Sequence, residues 1–228
     1  QKPSIEKIVV TKTEDATWAD ALKTGAFNFY DTVTDGNQIN TALDIIAEGG
    51  FDYVQFDRAG YGMLNFQCDF GPTQFEAVRH AVALLLDRNE FANTFCQGWG
   101  GVVNGMYGTG LWQYQEAEEW LEMTLNPYSY DPEKAKELLK EAGYPDGFTT
   151  TLMYSNTTAN QKKAEFYKQQ LSEVGIDLEL NGMESAGLNE KVQGADCAGA
   201  DAEVDCYLSG WSTSTGDADW GLRPMLAT

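Results

Sequence analysis

One stretch in the second half of the chain marks both ends of a helix and the start of a strand. Asp131 has a side chain that can accept the amide hydrogen bonds of a first helical turn, and Pro132 occupies the first helical position, where a missing N–H has no cost. Gly143 can take the left-handed conformation that ends a helix, and the Pro-Asp-Gly turn at 145–147 leads into a strand beginning near Phe148. Four apolar residues repeat at helical spacing between these ends: Ala135, Leu138, Leu139 and Ala142. The stretch therefore predicts a capped surface helix followed by a strand.

Strand and helix patterns alternate from there towards the end of the chain. Three segments have strand-like apolar patterns: 149–155, 176–180 and 204–210. Two helical segments lie between them: 159–174 and 188–192. Because parallel strands need crossover connections, this order predicts an α/β fold in which helices cover a mixed or parallel sheet.

The earlier part of the chain mixes shorter patterns. Strands are predicted over 5–13, 27–30, 51–56 and 61–66. Helices are predicted over 17–23, 38–47 and 75–86, and Asp87 begins a further helix with Glu90 placed as in a capping box. These patterns predict a smaller, β-rich N-terminal portion beside the main sheet.

The charge balance excludes some classes of partner. The chain of 228 residues has 35 acidic and 15 basic residues, a net charge of -20 and a pI of about 4.2. Phosphate binding needs clustered Lys and Arg, so nucleic acid is a poor partner, and so is an anionic lipid surface. The charge indicates either a self-repelling surface or a field that attracts cationic solutes.

Metal and enzyme motifs are weak in this sequence. The cysteines Cys68, Cys96, Cys197 and Cys206 lack metal-ligand spacing, and His80 is the single histidine, so we expect no metal and no cofactor. A Cys197–Cys206 bridge around a Gly- and Ala-rich loop and a set of free thiols remain equally open. There is no G-x-S-x-G, H-E-x-x-H or P-loop pattern, which disfavours an enzyme.

Several segments, taken together, resemble a known family. The stretch D-P-E-K-A-K-E-L-L-K-E-A-G-Y at 131–144, K-P-S-I-E-K-I-V-V at 2–10 and F-E-A-V-R-H-A-V at 75–82 follow the family's order, as do G-W at 210–211 and L-R-P at 222–224. These segments are similar to the family 5 extracellular solute-binding proteins, the peptide and nickel receptors of bacterial ABC importers. One histidine makes nickel binding improbable here.

The resemblance implies a lobe of the periplasmic-binding-protein type, of the type II peptide-receptor class. Family members are roughly twice as long and hold ligand in a cleft between two lobes that close by a hinge. On this basis residues 1–57 belong to the end of the first lobe, and 58–228 to the second lobe without its returning C-terminal segment. The expected protein is a monomeric, extracytoplasmic receptor whose partner is an importer permease, with a signal and lipid anchor ahead of this fragment.

The resemblance also supplies candidate ligand-binding residues near the last strand. Trp211 follows that strand at the carboxyl end of the sheet, where open α/β sheets bind ligands, although a core tryptophan is the alternative. The loop from Ser212 onward includes Ser214, where peptide-binding relatives have the aspartate that pairs with an α-ammonium group. Asp217 and Asp219 are candidate substitutes, and turn chemistry is the alternative for both, more so for Asp219. Otherwise the receptor accepts ligands that lack a free N-terminus.

Two further aromatic candidates lie earlier. Tyr61 matches a cleft-facing tyrosine at the lobe crossing of peptide-binding relatives, and a half-buried strand aromatic is the alternative. Trp112 resembles the tryptophan of a W-G-Y segment, in which Gln113 replaces the glycine here.

Capture of extracellular peptides is therefore the predicted function. The alternatives are a receptor for a non-peptide solute such as an oligosaccharide, metal chelate or haem, a hydrolase with a carboxylate pair, and a surface protein that binds other proteins.

Overall fold

A computed structural model describes residues 4–13, 16–105, 108–111, 128–194, 204–212 and 223. The chain divides into two compact units, Gln1–Tyr53 and Val54–Thr228. Each unit is described by itself.

The first unit contains two short helices, α1 (Trp18–Lys23) and α2 (Gly36–Ala47). Asp35 caps α2, because its carboxylate accepts the amide hydrogen bonds of Asn37 and Gln38. Trp18 is buried and stacks on Tyr30 with ring centroids 4.8 Å apart. The helices predicted over 17–23 and 38–47 are thus confirmed.

The prediction of a β-rich N-terminal portion is wrong. None of the described residues in 5–13, 27–30 or 51–56 belongs to a strand. The apolar side chains of the first segment point into solvent, and Val10 is 90% exposed. The β-branched alternation favours a strand locally. A strand also needs a hydrogen-bonded neighbour, and no described segment supplies one.

The second unit is built on a mixed sheet. The described strands are β1 (Gly60–Phe66), β2 (Thr149–Ser155), β3 (Asp177–Met183) and β4 (Cys206–Ser212), in the order β1-β4-β2-β3. β2 is parallel to both β3 and β4, and β1 is antiparallel to β4. The predicted α/β class and helix-covered mixed sheet are confirmed.

Five helices of the second unit lie within the described residues: α3 (Glu76–Leu85), α4 (Arg88–Phe91), α5 (Pro132–Glu141), α6 (Thr158–Ser172) and α7 (Ser185–Gln193). A 3-10 turn, Pro72–Gln74, precedes α3, and a π-helical turn, Ala92–Cys96, follows α4. The predicted cap of α5 is present, since the Asp131 carboxylate accepts the Lys134 amide at 3.0 Å. The cap of α4 is present as well, with Asp87 accepting the Glu90 amide at 2.9 Å.

The helices cover both faces of the sheet. Alternate residues of β2 point to opposite sides, so Leu152 packs into a large cluster with α3, α5 and α6, whereas Met153 packs with α7. The crossovers β2-α6-β3 and β3-α7-β4 bring the carboxyl ends of three parallel strands to one edge. The amino end of antiparallel β1 lies at that same edge. We call this the carboxyl edge of the sheet.

The thiols described in this structure are not bridged to one another. Cys206 is buried, and burial raises the pKa of its thiol to about 12, with Asp205 adding to the rise and Thr150 opposing it. Cys68 is an exposed free thiol. Cys206 is a free thiol as well, and Cys197, its partner in the predicted bridge, lies outside the described residues.

The His80 side chain lies beside a carboxylate and an aromatic ring. Its Nε2 lies 3.4 Å from a carboxylate oxygen of Glu76 one turn earlier, and its ring centroid lies 5.2 Å from that of Tyr128. No cluster of His, Cys, Asp or Glu suited to a metal occurs among the described residues. In the same part of the chain, no helix has the length and apolar content needed to cross a membrane.

Removing a central side chain of β2 tests this core. Leu152 is fully buried between the sheet and its helices, so Leu152→Ala should lower the free energy of unfolding by about 2–5 kcal/mol, through lost burial and a residual cavity. Urea unfolding measures the change. Thr149→Ala, at an exposed position of the same strand, is the control and should change stability by less than about 0.5 kcal/mol. Equal effects of the two variants would contradict the assigned core.

Candidate ligand-binding site

The register of β1 and β4 places two predicted ligand-binding residues opposite each other. Tyr61 pairs with Trp211 in the antiparallel ladder, although 150 positions separate them in the sequence, the difference between their residue numbers. Directly opposed residues of an antiparallel pair project to the same face, with Cβ atoms about 4.5–5.5 Å apart. The pair therefore forms one aromatic patch at the carboxyl edge.

The Tyr61 side chain is only partly accessible to solvent. Its hydroxyl oxygen is buried, and no described residue forms a hydrogen bond with it. Burial raises the pKa of Tyr61 above its ordinary value, so the phenol is neutral at physiological pH. A neutral phenol can both donate and accept a hydrogen bond, which suits an amide or hydroxyl group of a ligand.

The next pair along the ladder brings the two backbones very close. Gly60 lies opposite Ser212, and a Cβ atom at Gly60 would overlap the carbonyl oxygen of Trp211. Only glycine fits there without moving β4. Ser212 is exposed at the end of β4, so its hydroxyl is accessible at the carboxyl edge.

A polar network supports the aromatic pair from the same face of the sheet. The Asn65 side-chain amide donates to the backbone oxygen of Tyr207 at 3.2 Å and to the Ser209 hydroxyl at 2.7 Å. Tyr207 packs against the cluster beneath α7, whereas neither Tyr61 nor Trp211 belongs to that cluster. Asn65 thus ties β1 to β4 between the α7 cluster and the aromatic pair.

A half-buried lysine lies on the other covering layer. Lys163 is on α6, and burial lowers the pKa of its ammonium group. Cys96 opposes that shift, and the positive charge of Arg58 adds to it, so the two cations lie within electrostatic reach of each other. No carboxylate among the described residues forms an ion pair with Lys163.

The structure separates the predicted site residues into two groups. Tyr61, Trp211 and Ser212 are described, and the β1–β4 register brings all three to the carboxyl edge. Trp112, Ser214 and Asp217 lie outside the described residues, so their roles stay predictions.

Sequence reasoning missed Asn65 and Lys163. Asn65 was missed because only its hydrogen bonds to residues of β4 distinguish it from other asparagines in strands, and these depend on strand pairing. Lys163 follows another lysine in the first half of α6, and nothing in that local pattern indicates that its ammonium group is partly desolvated.

The architecture is that of a ligand-binding α/β lobe, in which a helix-covered sheet presents aromatic and polar side chains at its carboxyl edge. More narrowly, the chain belongs to the bacterial extracellular solute-binding proteins, family 5, whose middle-region model matches residues 1–228.

Two relatives illustrate the sequence similarity. The glutathione-binding protein GsiB of Pectobacterium atrosepticum is 46% identical over 104 residues, which cover 45% of this chain and 20% of that protein. GsiB of Escherichia coli is 46% identical over 152 residues, covering 66% of this chain and 28% of that protein.

Solved structures agree with the fold. The periplasmic binding protein DppA of Helicobacter pylori, in complex with the peptide STSA, superposes with a TM-score of 0.72 at 26% identity and covers 92% of this chain and 37% of that one. AgaA of Agrobacterium tumefaciens R10, in complex with agropinic acid, gives 0.71 at 26% identity, with 92% and 40% coverage. The chain thus spans well under half the length of the proteins that it resembles.

Replacing Lys163 with an uncharged residue tests whether its ammonium group destabilises the folded protein. Lys163→Met should raise Tm at pH 7, because the folded protein no longer holds a desolvated ammonium group. The pKa of this lysine is lower in the folded than in the unfolded state. The charged ammonium group therefore destabilises the folded protein fully below the folded-state pKa, and this destabilisation fades as pH rises towards about 10.4. The stability gain should therefore shrink between pH 8 and pH 10, as measured by thermal unfolding across that range.

Lys134→Met is the matched control for this change. Lys134 is exposed on α5, so the same substitution removes no buried charge and should leave Tm nearly unchanged at every pH. A lower Tm for Lys163→Met at pH 7 would show that the ammonium group has a stabilising partner.

Proposed function

We propose that this chain is part of the solute-binding component of a bacterial ABC importer and that its cargo is a short peptide. The observation that carries the proposal is the Tyr61–Trp211 pair at the carboxyl edge, with its buried phenol hydroxyl. Membership of the solute-binding family and the similarity to glutathione-binding and peptide-bound relatives support it.

The proposed mechanism is enclosure between two lobes. In this proposal residues 58–228 belong to the second lobe of the intact receptor and 1–57 to the end of the first, and the ligand binds at the carboxyl edge of the second lobe. The aromatic faces of Tyr61 and Trp211 bury the apolar surface of the ligand, and the Tyr61 hydroxyl gains a hydrogen-bond partner on closure. Half of such a cleft binds weakly, because the ligand remains solvated on one side.

The location and partners follow from the same proposal. The intact receptor acts outside the cytoplasm, as a monomer, and delivers its ligand to a membrane permease. It carries out no chemistry on the ligand, and ligand release depends on reopening of the hinge.

A non-peptide cargo is the second candidate. The AgaA structure is bound to agropinic acid, and it matches this fold as well as the peptide-bound DppA structure does.

Thermal shift on the full-length protein tests the cargo. Reduced glutathione and a tripeptide should each raise Tm, because a ligand at a hundred times its Kd stabilises the folded state by about 2.7 kcal/mol. Tyr61→Phe should leave the ligand-free Tm unchanged or higher and should weaken binding by about 3- to 10-fold, since the lost hydroxyl serves only the ligand.

Tyr53→Phe supplies the control, because Tyr53 is 53% exposed and lies outside the proposed site. Stabilisation by agropinic acid or an oligosaccharide, with no response to peptides, would instead establish the non-peptide alternative.

The α-ammonium group of the peptide is proposed to bind Asp217, because Ser214 stands where peptide-binding relatives have aspartate. Asp217→Asn in the full-length protein should weaken peptide binding by about 1.5–3 kcal/mol, the range for a hydrogen bond to a charged group. N-acetylation of the peptide should cost a similar amount, as measured by calorimetry. Equal affinity for free and acetylated peptides would contradict the ammonium assignment.

A further inference from the structure

A cavity of about 310 Å³ lies beside α4, the π-helical turn and the second half of α6. Its lining includes two phenylalanines, a tyrosine, two glutamates and a buried glutamine: Phe95, Phe166, Tyr130, Glu90, Glu173 and Gln170. Glu90, Tyr130 and Glu173 are exposed residues, so the cavity can be reached from solvent. It can therefore admit a small solute.

This cavity is separate from the candidate site at the carboxyl edge. Strand β2 ends at Ser155 and Thr157 caps α6, so the first turn of α6 lies at that edge. At about 1.5 Å per residue, Gln170 lies about 18 Å further along the helix than Thr158. The lining residues of α6 thus lie towards the opposite end of the helix.

Aromatic rings form preorganised walls of the cavity. Phe95 and Phe166 meet edge to face, with ring centroids 5.6 Å apart. Phe91 packs on both rings, and its centroid lies 4.7 Å from that of Phe95 and 5.3 Å from that of Phe166. These contacts hold the two lining rings in place. The face of an aromatic ring carries partial negative charge and attracts a cation within about 6 Å.

Two carboxylates with fixed hydrogen-bond partners add negative charge. A carboxylate oxygen of Glu173 accepts the Tyr130 hydroxyl at 2.9 Å, and one of Glu90 accepts the side-chain amide of Gln170 at 3.2 Å. The Gln170 oxygen in turn accepts the backbone amide of Asp87 at 2.7 Å. Among the described residues, no lysine or arginine forms an ion pair with either glutamate. Both negative charges are therefore available to a ligand.

The tyrosine of the cavity is subject to the same negative field. The pKa of Tyr130 is raised, chiefly because its hydroxyl donates to Glu173. Slight burial and the negative charges of Glu173, Asp87 and Glu90 add to the rise. Three carboxylates thus act on one phenol beside the aromatic walls.

We propose that this cavity is a second ligand site, which binds a small organic cation such as a quaternary ammonium compound. Glu90 and Glu173 neutralise its charge, and its methyl groups contact the rings of Phe95 and Phe166. A metal ion is a poorer fit, because no described cluster of His, Cys, Asp or Glu suits one. The proposal goes beyond the proposed peptide cargo and does not depend on it.

The test uses choline and its uncharged isostere 3,3-dimethylbutan-1-ol, titrated with the full-length protein and followed by NMR of the probe. The alcohol should bind about tenfold more weakly, because only the cation gains from the carboxylates and ring faces. Glu173→Gln retains an acceptor for Tyr130 and should weaken choline binding about 5- to 10-fold. Phe166→Leu should weaken it about 2- to 5-fold. Glu137→Gln, at an exposed position on α5, is the matched control and should leave affinity unchanged.

Four results would overturn the proposal. Equal affinity for choline and the alcohol would show a cavity without charge selectivity. Equal losses for Glu173→Gln and Glu137→Gln would show diffuse attraction by the net charge of -20. Loss of choline binding in Trp211→Ala, with none in Glu173→Gln, would place choline at the carboxyl edge. A folded wild type that does not bind choline would refute the site, whether or not peptides bind.

Discussion

The antiparallel ladder between β1 and β4 is the contact on which the described site depends. It joins the chain around residue 60 to the end of the last strand through seven paired positions, and Asn65 reinforces it with two side-chain hydrogen bonds. The parallel pairs β2–β3 and β2–β4 need only the crossovers of the second half of the chain. Without the β1–β4 ladder, Tyr61 and Trp211 have no reason to meet.

Two features of the second unit lower its stability. The Tyr61 hydroxyl on β1 is buried without a described partner, and the Lys163 ammonium on α6 is partly desolvated. Each lowers the stability of the ligand-free protein. Well-paired groups elsewhere, such as Gln170 between Asp87 and Glu90, show no comparable deficit.

Local sequence signals were reliable where the structure depends on local interactions. The caps of α4 and α5 form as predicted, because an aspartate before a helix meets the amides of its own first turn whatever surrounds it. The strands at 5–13 and 51–56 were predicted with similar patterns and are absent from the described residues. A cap needs only four neighbouring residues, whereas a strand needs a second strand that the local pattern cannot guarantee.

The sequence by itself determined the α/β class, the helix boundaries and the identity of Tyr61, Trp211 and Ser212 as candidates. Tertiary structure alone decided that these three share one edge, that Lys163 is half-buried, and that the backbone of Gly108 and Gly110 lies against the start of β1. The physical reason is the range of the interactions involved. Helix caps and apolar periodicity act within a few residues, whereas the β1–β4 register arises from contacts between segments more than a hundred residues apart.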